Sequence, residues 1–130
     1  MMKPALLSLA VLIPSIASAD FVPTLTNAPR ICPDRPAKPD WMTNFNVKDA
    51  HKVNLVEEMY RAQSLRAVVE SGDCTCATRF PSWAAASDYY FANYAGLGRH
   101  EILDRTSDYR RTANVHRRAA QPICEAQGNW

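Results

Sequence analysis

Residues 47 to 70 contain neither proline nor glycine, and their apolar positions return at helical spacing. Leu55, Met59, Ala62 and Val69 share one face, and Val56, Tyr60 and Ala67 widen it. A stripe this broad predicts an α-helix pressed against more than one neighbour. Asn46 stands where a side chain caps the exposed N–H groups. Asp49 follows three residues on, where the helix dipole favours a carboxylate. Ser71-Gly72 ends the helix. A second stripe follows Ser82, itself a capping residue. Trp83, Ala86, Tyr90, Tyr94 and Leu97 fall at steps of three, four, four and three. The small residues Ala84 and Ala85 favour helix and permit close packing. Gly96 and Gly98 interrupt it. A third, more polar helix is expected from Arg99 to Ala120, with Ile102, Tyr109, Ala113, His116 and Ala120 facing inward. Pro122 should end it. Apart from a brief extended piece around Thr75 to Phe80, nothing reads as strand. The expected fold class is all-α: a small disulfide-stapled domain of about three helices, residues 47–130.

Residues 20–46 read differently. Pro23, Pro29, Pro33, Pro36 and Pro39 remove amide donors and disfavour helix in the residues before them. They predict an extended arm wrapping the surface, with Cys32 as its one fixed point and Phe21, Val22, Leu25 and Ile31 as isolated apolar plugs. Residues 1–19 read as a signal peptide. Lys3 precedes an apolar run from Ala5 to Ala17, Pro14 breaks it, and Ala17-Ser18-Ala19 fits the small-x-small rule for cleavage before Asp20. The run falls short of the roughly 20 residues a membrane-spanning helix needs. Loss of Lys3 leaves 14 basic against 13 acidic residues, a net charge of +1 in place of +2. So balanced a chain predicts no nucleic-acid partner.

The four cysteines decide how so small a domain holds together. Cys74 and Cys76 sit one residue apart between two helices, whereas Cys32 and Cys124 lie far away on either side. A bond between Cys74 and Cys76 would close a small, strained ring. The expected pattern sends each to a distant partner, either 32–74 with 76–124 or 32–76 with 74–124. Two such bonds in an exported chain contribute roughly 2–4 kcal/mol each. A redox role lacks the positive setting that lowers a thiol pKa, since Asp73 adjoins the pair and the loop follows a helix end. Zinc would need four thiolates held open in an oxidising space. No metal and no cofactor is expected.

Other chemistry is sparse. His51, His100 and His116 form no ligand pattern, and the serines lack a nucleophile-elbow context. A glycosidase needs two carboxylates across a cleft. Glu101 and Asp104, facing Glu70 or Asp73, are the candidates. The last helix is locally basic. Arg110, Arg111, Arg117 and Arg118 are the candidate docking residues for an acidic protein partner or a phospholipid headgroup. Tyr89, Phe91, Trp41 and Trp130 are the candidate exposed aromatic contacts.

Three stretches carry a resemblance. They are Ile31-Cys32-Pro33-Asp34-Arg35-Pro36, Gly72-Asp73-Cys74-Thr75-Cys76 with Phe80-Pro81-Ser82-Trp83, and Pro122-Ile123-Cys124-Glu125. Together they resemble small exported proteins encoded with conjugative or type IV secretion gene sets in alphaproteobacteria. The resemblance implies a periplasmic accessory role near the secretion apparatus and assigns no site residue. The expectation is therefore a periplasmic protein that binds envelope proteins, with release outside the cell also compatible. The competing expectation is a small peptidoglycan hydrolase using helix-borne carboxylates.

Overall fold

The computed structural model describes residues 31–130. The expected signal peptide, and the arm residues Phe21, Val22, Pro23, Leu25 and Pro29, lie outside the described residues. Five α-helices follow in order: α1 (Asp40–Thr43), α2 (Ala50–Ser71), α3 (Cys76–Arg79), α4 (Ala84–Asn93) and α5 (Arg99–Ala126). A 3-10 turn, Val47–Asp49, leads into α2. The described residues contain no strand, and the fold is all-α as expected.

The frame is the pair α2 and α5. Ile102 joins the cluster of Leu55, Val56 and Met59. Further along, Asn114 Oδ1 accepts from Arg61 at 2.7 Å, and Ala120 and Cys124 pack with Leu65 and Val68. The two helices therefore run parallel, and residues 72–98 must carry the chain back along their length. Helix α4 makes the return, antiparallel to α2. The Trp83 ring stacks on Tyr60 with centroids 3.7 Å apart, and Tyr90 reaches the level of Val53 and Met42.

Local chemistry sets the ends of these helices. Asn46 accepts the Lys48 N–H at 2.9 Å, as its capping position predicts. Gly72 closes α2 in the left-handed conformation (φ 67°), where a Cβ is disfavoured, and donates to the Val68 carbonyl at 2.8 Å. Ser82 Oγ accepts the Ala84 N–H. At the start of α5 the Glu101 carboxylate takes the Gly98 N–H at 3.0 Å, half of a capping box.

The structure corrects several expectations. Thr75 to Phe80 is not extended: Cys76–Arg79 forms one helical turn, its N–H at Thr78 capped by Thr75 Oγ1. The Asp73 carboxylate accepts from Thr75 and Thr78 and fixes the entry to that turn. Asp40–Thr43 is a helical turn inside the stretch expected to be extended, because Met42 inserts into the core. Val68 rather than Val69 faces fully inward on α2, joined by Leu65 and Ser64. Ile31 is exposed and plugs nothing.

Pro122 does not end α5, which continues through Cys124 to Ala126. A helix-interior proline forfeits a backbone hydrogen bond and costs about 3 kcal/mol. Here the disulfide to Cys124 anchors the last turn. The N–H groups of Gln127 and Asn129 also close on the Cys124 carbonyl.

Cys32 is not the arm's one fixed point. The Pro36 carbonyl accepts from Trp83 Nε1 at 3.3 Å, Lys38 pairs with Glu57, and Arg35 lies over the Phe80 ring.

Candidate functional site

The disulfides resolve the open pairing: Cys32–Cys76 and Cys74–Cys124. Both pass through the short stretch before and at the start of α3, one to the arm and one to the end of α5. Around them lies a buried polar clamp. Asn129, 8% exposed, donates its amide to the Cys74 carbonyl and places Oδ1 3.3 Å from Cys32 Sγ. Gln127 accepts the Cys74 N–H at 2.7 Å and donates to the Gly72 carbonyl at 3.0 Å. Two disulfides of this kind belong to an oxidising, extracytoplasmic setting. No helix of the described residues is long and apolar enough to cross a membrane.

This clamp has a consequence for the surface. With Cys32 and Cys76 joined at a Cα separation of 5.7 Å, the residues three and four positions on are brought together. Arg35 lies 3.8 Å above the Phe80 ring, and Arg79 lies 5.3 Å from the same ring. Arg79 also faces Trp130 at 4.3 Å, and Arg117 of α5 reaches that ring at 5.4 Å. Three guanidinium groups and two aromatic rings thus form a layered group at one end of the molecule.

Beside it opens a cleft of about 390 Å³, lined by Tyr60, Leu65, Arg79, Phe80, Arg117 and Trp130 among others. No acidic residue lines it. Arg61, also on its wall, pairs with Glu58 at 3.2 Å, a carboxylate it shares with Arg110. Arg35, Arg79 and Arg117 have no carboxylate within 4.0 Å among the described residues. Burial pushes the Arg79 guanidinium below the ordinary arginine range, and the charges of Arg35 and Arg117 push it the same way. It stays protonated at neutral pH. Tyr60 contributes a fixed wall: its hydroxyl donates to the Pro81 carbonyl at 2.8 Å, and burial raises its pKa.

The eight candidate surface residues do not gather in one place. Arg117 and Trp130 meet in the layered group. Arg110 bonds Glu58 at 3.0 Å and Arg111 pairs with Asp108, so each already faces a carboxylate. Arg118 is exposed on α5. Trp41 is half-buried, stacked on Tyr90 with its Nε1 donating to Ser87 at 3.1 Å. Phe91 packs edge-on against Trp41 while staying 54% exposed. Tyr89 turns to the other flank of α4, against Tyr94.

Arg35, Arg79 and Phe80 were missed in the sequence because each sits in a loop or a single turn without periodicity. Their signal was the spacing from Cys32 and Cys76, readable once the pairing is known.

The carboxylates proposed for glycoside hydrolysis are not brought together. Glu101 caps the start of α5, whereas Glu70 and Asp73 lie at the far end of α2, level with Ala120 and Cys124. The rise of α5 from Glu101 to Ala120 is about 28 Å, against the roughly 5–9.5 Å that such chemistry spans. Within the cleft Ser64 Oγ donates to the Arg61 carbonyl, and no histidine, aspartate or glutamate side chain lines the wall to activate it. The arrangement supplies fixed positive charge and flat apolar faces. Comparison with known proteins finds no matching family model, curated protein or solved structure.

Proposed function

We propose that this chain is an accessory protein of the bacterial cell envelope, periplasmic after removal of residues 1–19, that acts by binding another protein. The observation that carries this reading is the layered group of Arg35, Phe80, Arg79, Trp130 and Arg117 beside an open cleft. Arginine, tryptophan and tyrosine are the residue types that dominate protein–protein hot spots, where a rigid ring and a forked donor give much contact for little lost entropy. The two disulfides support export, and the resemblance to accessory proteins of conjugative and type IV secretion gene sets supplies the class of partner.

The test is in-cell crosslinking of the exported protein in a host carrying such a secretion system, with both disulfides confirmed by mass. The reading expects a secretion-channel protein to be captured, and the capture to be lost in an Arg79→Met, Arg117→Gln variant that keeps both disulfides. Retention of peptidoglycan fragments with no protein captured would turn the assignment toward hydrolysis.

A further inference from the structure

We infer that the cleft between Arg79, Arg117 and Trp130 binds a carboxylate carried on an acidic peptide segment, with a neighbouring apolar side chain laid against Trp130 and Leu65. The inference rests on the protein-binding reading above and names the ligand chemistry of its site.

A guanidinium lying on a ring keeps its N–H donors at its edge, free to grip an oxyanion in the plane. Arg79 spends one edge nitrogen on Cys124 Sγ at 3.9 Å, and a disulfide sulfur is a poor acceptor. No oxygen among the described residues accepts from the side chains of Arg79, Arg117 or Arg35. Burial, and then the charges of Arg35 and Arg117, lower the pKa of Arg79; a bound carboxylate relieves that repulsion. A carboxylate also matches the forked donor in a bidentate pair.

The surroundings select the carrier. Further along α5, Arg110 bonds Glu58, and Arg105 and Arg111 share Asp108. Arg118, exposed beside Arg117, has no carboxylate partner among the described residues but does not line the cleft. The cleft is where unpaired guanidinium groups meet aromatic and apolar walls, in a chain close to neutral. A nucleic-acid backbone or an anionic membrane rewards an extended row of cations. One pocket with arginine donors and an apolar wall fits an acidic side chain with an apolar neighbour.

The experiment is fluorescence anisotropy with labelled Gly-Glu-Phe-Glu-Gly and its glutamine counterpart, titrated with the mature, disulfide-intact protein. Inorganic phosphate and phosphatidylglycerol vesicles serve as competitors. The glutamate peptide should bind at least about tenfold more tightly than the glutamine peptide, and less tightly as salt rises. Arg117→Gln, exposed on α5, should weaken binding about tenfold, and Arg111→Gln should not change it. Arg79→Met, checked for both disulfides, should weaken it at least as much. Equal binding of the two peptides, or unchanged binding by Arg117→Gln, overturns the inference. So does displacement of the peptide by vesicles at lower concentration than by unlabelled peptide. Peptide binding without any captured envelope protein would leave the pocket standing and remove the proposed function. Capture of a channel protein by a chain that ignores the peptide would do the reverse.

Discussion

At one end of the α2–α5 pair, Leu55, Met59, Ile102 and Tyr90 fill the interior and Trp41 closes it with a stacked ring. At the other, Leu65, Val68 and Ala120 leave much of the interior to two disulfides and the buried amide of Asn129. Each large apolar side chain buried at the first end contributes roughly 1.5–3 kcal/mol. The second end has fewer of them, and its covalent ties do the holding instead. Both ends carry a surface cleft, about 470 Å³ beside Trp41, Val53, Tyr90 and Phe91 at the packed end and about 390 Å³ at the stapled end. The difference lies in the lining. The first holds the paired Asp49 and Lys52, whereas the stapled loop turns Arg79, Phe80 and Trp130 toward the second, which no Asp or Glu side chain lines.

The comparison can be broken at either end. The largest effect is expected from Tyr90→Ala, which empties the centre of the packed end. It should cost about 3–5 kcal/mol in denaturant unfolding, with both disulfides still formed. Asn129→Ala strikes the stapled end. It leaves the Cys74 carbonyl buried without its side-chain donor and should cost about 1–3 kcal/mol in the same measurement. A smaller effect should appear on titration with alkali. Burial raises the pKa values of Tyr60, Tyr90 and Tyr109 above 10.0, with Tyr109 held further by its bond to the Tyr94 hydroxyl at 3.1 Å. A raised folded pKa gives stability that is complete below the unfolded value. It is lost as pH rises from about 10 through the folded values, since the folded state then holds more protons. All three phenols belong to the packed end. The melting temperature should therefore fall above pH 10, and Tyr109→Phe should flatten that fall.

How much of this was legible in the sequence follows the same division. At the packed end the helical stripes were read well. The α2 and α4 stripes and the Gly96–Gly98 break are periodic features, and Leu55, Met59, Ala86, Tyr90 and Ile102 lie where their spacing puts them. The turn Asp40–Thr43 with its buried Met42, however, was placed in the extended arm, and Trp41, expected as an exposed contact, is half-buried against Tyr90. The stapled end was read poorly. Helix α3 is a single turn fixed by Thr75, Asp73 and two disulfides rather than by propensity. The persistence of α5 past Pro122 depends on contacts fifty residues away. Arg110 and Arg111 stood out as a basic run. Glu58, the partner of Arg110, is on another helix, and that pairing depends on the register between helices. Asp108, the partner of Arg111, lies three residues back on the same helix and was legible in the spacing.

The most direct measurement is native-state hydrogen exchange on the oxidised and the reduced protein. If the two ends are held separately, reduction should speed exchange in residues 74–80 and 120–129. The amides from Val53 to Tyr60 should stay slow. Uniform acceleration along the whole chain, or no change around Cys74 and Cys124, would contradict the account.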